Sequence, residues 1–62
     1  MKFENIKEQF LSGIPIKNNL YPVHYFIHDS INKKIIDNSR KEIDYGKFAL
    51  LILISDDWEI YE

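Results

Sequence analysis

A chain of 62 residues with no cysteine excludes disulfide staples and thiolate metal sites, and reads as a single domain, residues 1–62. That length lies near the lower limit for independent folding, where only ~60% of the unfolded surface becomes buried. Hydrophobic residues make up 45% and aromatic residues 15%, which excludes intrinsic disorder, and a net charge of −2 argues against direct nucleic-acid binding, which calls for a strong basic excess.

Charge is unevenly placed. The stretch from Lys33 to Lys47 holds Lys33, Lys34, Arg40, Lys41 and Lys47, whereas the final seven residues hold four acids and no base. Met1-Lys2-Phe3-Glu4 lacks the charged and apolar blocks of a signal peptide. The longest apolar run, Phe48 to Ile54, falls well short of the ~20 residues that span a bilayer. A cytoplasmic protein without membrane contact is the expectation.

Phe3, Ile6, Phe10 and Leu11 recur at the spacing of one helix face, with Asn5, Lys7, Glu8 and Gln9 mainly off it. Gly13 stands where a left-handed helix C-terminus needs glycine, and Pro15 prevents continuation. A helix over Phe3 to Ser12 is predicted. Ile14 to Lys17 reads as a short strand, and Asn18-Asn19-Leu20-Tyr21-Pro22 carries turn chemistry.

Val23-His24-Tyr25-Phe26-Ile27-His28 is dense in β-branched and aromatic residues and predicts a strand. Alternation puts Val23, Tyr25 and Ile27 on one face, and His24, Phe26 and His28 on the other. Asp29 to Asn32 is a turn, Lys33 to Asp37 its hairpin partner, and Glu42-Ile43 a short extended piece after a loop. Asp44-Tyr45-Gly46 punctuates the chain before the run Lys47 to Ile54. That run is apolar all round, so periodicity does not separate helix from buried strand. Ser55-Asp56-Asp57 breaks it, and Trp58 to Tyr61 alternates as a closing strand.

The fold class is α+β: an N-terminal helix on a small antiparallel sheet, with a second short helix or buried apolar segment before a C-terminal strand. Seven consecutive hydrophobic residues present apolar atoms on more than one side, and a domain this small has one layer to cover them. A homo-oligomer is therefore expected.

Catalytic arrangements are missing. There is no nucleophile elbow and no phosphate-binding glycine loop, since Gly13 and Gly46 are the only glycines. His24 and His28 on a strand stand ~13 Å apart, too far for one metal. Asp56 and Asp57 suit a turn better than acid/base chemistry, because adjacent strand residues point to opposite faces. No cofactor, no metal site and no enzymatic activity are expected. Binding chemistry is better represented, because aromatic faces stack on bases and cations pair with phosphates. Tyr21, in a polar turn beside Lys17, Asn18 and Asn19, is the leading ligand contact, and Trp58 the leading core aromatic.

The order Phe3-Glu4-Asn5-Ile6, Gly13-Ile14-Pro15-Ile16-Lys17, Tyr21 and Leu53-Ile54-Ser55-Asp56-Asp57-Trp58-Glu59-Ile60-Tyr61 resembles small phage proteins of the Thoeris anti-defence protein 2 family. The closing Asp-Asp-Trp-Glu-Ile-Tyr is its most specific part. The resemblance implies an α+β fold and homo-oligomers that sequester cyclic-nucleotide-like immune signals, such as cyclised ADP-ribose, between protomers. The family's turn tryptophan corresponds to Tyr21, its basic strand residue to Lys17, and its terminal Asp-Trp to Asp57-Trp58. Tyr stands for the turn Trp, Asn18-Asn19 for further basic residues, and Pro15 interrupts the strand. On this reading Tyr21 and Tyr25 stack on a base, Lys17 with His24 or His28 lies near phosphate, and Asn18 and Asn19 bond sugar or base edge, with Trp58 beside them. The alternative is an anti-CRISPR or other inhibitor that binds a host defence protein directly.

Overall fold

The computed structural model describes residues 1–21 and 23–61; Pro22, read above as part of a turn, and Glu62, the last of the terminal acids, lie outside the described residues. The N-terminal apolar row forms two pieces rather than one helix. A 3₁₀ turn spans Phe3–Asn5 and helix α1 spans Lys7–Leu11, with Ile6 at φ −123° between them. Ile6 and Phe10, one turn apart and joined by the Phe10 N–H bond to the Ile6 carbonyl, both enter the core, while Leu11 stays 47% exposed, against the expectation from its spacing. Past α1, Gly13 adopts φ +102°. Its N–H donates to the Phe10 carbonyl and that of Ile14 to the Gln9 carbonyl, the paired bonds of a glycine-terminated helix.

Strands β1 (Ile16–Asn18), β2 (Phe26–Asp29), β3 (Lys34–Asp37), β4 (Glu42–Ile43) and β5 (Trp58–Ile60) form one antiparallel sheet in the order β4-β3-β2-β1-β5. Both connections in the β2–β4 meander are built by aspartates. Asp29 accepts from the N–H groups of Ile31 and Asn32, with Lys33 at φ +55°, and Asp37 accepts from those of Ser39 and Lys41, with Arg40 at φ +63°.

The apolar run is helical: α2 covers Tyr45–Ile54. Its start is set locally, because Asp44 accepts from the Lys47 N–H at 3.1 Å as an N-cap. The helix buries Phe48 and Leu51, and Phe48 is the hub of the core. Its ring centroid lies 5.7, 5.3, 5.2 and 5.5 Å from those of Phe3, Phe10, Phe26 and Trp58. Aromatic pairs at such separations add about 0.5–1.5 kcal/mol each beyond their buried area.

The closing strand docks beside β1 in the register Ile16↔Ile60, Lys17↔Glu59, Asn18↔Trp58. On its other edge Met1 and Trp58 exchange both backbone bonds, at 2.9 and 3.0 Å, which carries Phe3 over the Trp58 ring at 5.4 Å. Ile16, Phe26, Ile35, Ile43 and Trp58 point to the side holding the helices. The α+β class, the antiparallel sheet, the packed N-terminal helical segment and the last strand are therefore as the sequence indicates, and the apolar run, which the sequence leaves open between helix and buried segment, is a helix. No described helix is long and apolar enough to cross a membrane.

Candidate ligand site

The residues singled out as ligand contacts fall into three groups. Lys17 lies on the sheet face away from the helices, its Nζ 3.2 Å from Glu59. Tyr25 shares that face by alternation and packs against Tyr61 at 4.8 Å. Asn19, Tyr21 and His24 lie in the β1–β2 connection. Asn19 and His24 are exposed, and half-buried Tyr21 rests against Phe26 at 5.3 Å.

Asn18 and Trp58 belong to the interior. Trp58 has no exposed surface, and its Nε1 donates to the Ser55 carbonyl at 3.1 Å. Asn18 is 2% exposed. It accepts from the Leu20 N–H at 2.8 Å and donates to Ser55 Oγ at 3.0 Å. The turn predicted to begin at Asn18 starts one residue later, because the pairing with Trp58 extends β1 through Asn18 and turns its side chain inward. These two side chains consolidate the fold and present nothing to a ligand. His28 also turns inward, with its ring 5.7 Å from that of Phe10 and Nδ1 buried without a partner.

Two concavities flank α2. A groove of about 200 Å³ is lined by Tyr21, Lys47, Leu50, Leu51 and Ile54. The wider cavity, about 440 Å³, is lined by Lys2, Phe3, Glu4, Lys7, Ile52 and Asp56. Ile52 lies roughly half a turn around α2 from the Leu50–Ile54 row, so the two open on opposite flanks. The 3₁₀ turn and α1 supply Phe3, Glu4 and Lys7, and the Met1–Trp58 pairing holds that segment beside Asp56.

The wider cavity combines an apolar floor, Phe3 and Ile52, with charges of both signs. Neither Lys2 nor Lys7, and neither Glu4 nor Asp56, is in an ion pair among the described residues; the pairs there are Lys17–Glu59 and Lys34–Glu42. Four charges around one concavity remain available to a guest. Such a lining accepts a flat ring on the floor, an anionic group at the lysines, and donor hydroxyl or amino groups at the carboxylates. Among the described residues no three His, Cys, Asp or Glu side chains come together as a metal cluster would.

The sequence places Phe3 on a helix face and Asp56 in a turn, and singles out none of these lining residues as a ligand contact. They come from three separate segments, and only the docking of β5 against the N-terminus assembles them. The local signals are Glu4 and Lys7 at i, i+3 directly after Phe3, and Ile52 and Asp56 at i, i+4.

The fold and cavity define a small α+β domain with a five-stranded antiparallel sheet and a mixed-charge concavity at its N-terminal corner. Compared with known proteins, the chain matches no family model, no curated protein and no solved structure.

Proposed function

We propose that this protein is a non-catalytic binding domain that sequesters a nucleotide-derived bacterial defence signal, the immune-evasion role implied by its resemblance to the phage family. The observation that carries the reading is the 440 Å³ cavity, where Phe3 and Ile52 meet two lysines outside any described ion pair. Its volume falls in the range of about 300–1,000 Å³ typical of small-molecule sites. A base stacks against Phe3, worth about 1–3 kcal/mol. Lys2 and Lys7 pair with phosphate, and Glu4 and Asp56 accept from ribose hydroxyls or a base amino group. Because the two acids offset the two lysines, the lining favours a ligand with few phosphates over a polyphosphate.

This reading moves the ligand from Tyr21 and the β1–β2 connection to the opposite flank of α2. Calorimetry against cyclic nucleotides and cyclic ADP-ribose isomers tests it. Saturable heat is expected from at least one member. Lys7→Ala weakens that binding about tenfold or more and lowers its salt dependence, as loss of a charge-assisted bond does. Folded protein that gives no heat with any member refutes the reading. Capture of a protein rather than a small molecule in pull-downs favours direct inhibition of a defence enzyme instead.

A further inference from the structure

Helix α2 buries only part of its surface. Leu50, Leu53 and Ile54 are 56%, 83% and 61% exposed, and Gly46 and Ala49 lie exposed beside them. Between Phe48 and Ile54 the helix carries no charge. Leu53 projects from this face as a knob. The groove of about 200 Å³ against Tyr21, lined by Leu50, Leu51 and Ile54, lies beside it as a hole.

The charges at the two ends of α2 point to the occupant. Lys47 stands in the first turn, and Asp56 and Asp57 follow the last turn, where no base is present. The start of α2 already has an anion in its Asp44 cap, but at the other end Asp56 and Asp57 stand where the helix dipole disfavours them. An antiparallel helix carrying the same charges brings its own Lys47 to those acids. This chain's own α2 is such a helix.

We propose that the exposed face of α2 docks a second copy of this chain, with the two α2 helices antiparallel about a twofold axis. An axis passing between Leu50 and the Leu53–Ile54 turn sets Leu50 of each copy against Leu53 and Ile54 of the other. Leu53 of each copy then enters the Tyr21 groove of the other, and Lys47 of each meets Asp57 of the other. Gly46 and Ala49 add little bulk, which lets the helices approach. A patch that carries both knob and hole is self-complementary, as an isologous interface requires. The ligand cavity lies on the far flank of α2, so the inference stands on the helix face alone and is independent of the proposed function.

Sedimentation equilibrium from micromolar to sub-millimolar concentration, with circular dichroism to confirm folding, tests the interface. A monomer–dimer equilibrium is expected for the native chain. Leu53→Glu, a change at a projecting side chain, leaves the fold intact and weakens the dimer at least about tenfold. Lys47→Glu and Asp57→Lys each weaken it several-fold, and the two together restore it, because the swap recreates the pair with reversed sign. Lys47→Glu also raises monomer stability, since it places an anion at the helix start. A single 7.5 kDa species throughout the range overturns the proposal. So does a dimer indifferent to Leu53→Glu, or charge reversals whose effects add instead of cancelling.

Discussion

Replacing Asn18 with alanine separates two accounts of a residue that the sequence presents as a ligand contact and the structure places inside. Its amide accepts from the Leu20 N–H and donates to Ser55 Oγ, at 2.8 and 3.0 Å. This ties the end of β1 to the segment between α2 and β5. Each such bond contributes about 0.5–1.5 kcal/mol net, and stranding a partly buried N–H adds to the loss, so truncation costs about 2–3 kcal/mol. At about 0.05–0.15 kcal/mol per residue, a chain of this length has roughly 3–9 kcal/mol of stability in total. Asn18→Ala therefore removes a large share of it and lowers the melting temperature by roughly 10–25 °C, at about 4–8 °C per kcal/mol. Urea titration followed by circular dichroism measures the change. A double-mutant cycle with Ser55→Ala is expected to show coupling of about 0.5–1.5 kcal/mol, the two side chains being bonded to each other. A variant that melts with the native protein but loses ligand refutes the structural role and returns Asn18 to the binding surface.

Other outcomes follow from backbone conformation, a half-buried histidine and one carboxylate. Gly13→Ala is expected to cost about 1–2 kcal/mol by chemical denaturation through strain alone, because Gly13 sits at φ +102° and an added Cβ meets nothing within 4 Å. Arg40→Gly, at φ +63°, is expected to stabilise by about 0.5–1 kcal/mol, relief of the left-handed strain outweighing the added chain entropy. His28→Leu is expected to stabilise by about 1 kcal/mol, since it removes a buried ring nitrogen without a partner. The bond from the Asn32 side chain, followed by that from its backbone N–H, holds the Asp29 carboxyl below the ordinary 3.8. With the folded value depressed, Asp29 contributes stability above pH 3.8 and loses it as pH falls through the lower folded value. NMR titration of Asp29 is expected to give a midpoint below 3.8 that rises in Asn32→Ala; a midpoint at or above 3.8 in the native chain contradicts the turn geometry.

Local chemistry made much of the fold legible. Gly13 ends α1, the meander strands fall within about a turn of their predicted bounds, and Trp58 is core. The face assignment holds for Phe26 and His28, turned toward the helices, but the strand begins only at Phe26: Val23 packs against the core and His24 is exposed, both in the preceding connection. The run Phe48 to Ile54 resisted because an all-apolar segment has no period to read, although Asp44 three residues before Lys47 was an N-cap in plain view. Asn18 resisted for a different reason. What turns it inward is its pairing with Trp58, forty positions away, and no window around Asn18 contains that partner. The cavity was illegible on the same ground, since Phe3, Ile52 and Asp56 become neighbours only once β5 has docked. The β1–β2 connection looked like a site because its polar and aromatic residues are adjacent in the chain, whereas the fold distributes them over both sheet faces and a loop.

The central claim is that the domain binds its ligand and leaves it chemically unchanged. Native mass spectrometry after incubation with the nucleotide panel, followed by denaturing release of whatever is bound, tests both halves. The expected result is a protein–ligand complex that releases a ligand of unaltered mass, and that Lys7→Ala depletes. A protein that retains nothing, or one that releases a ligand of changed mass, contradicts the account.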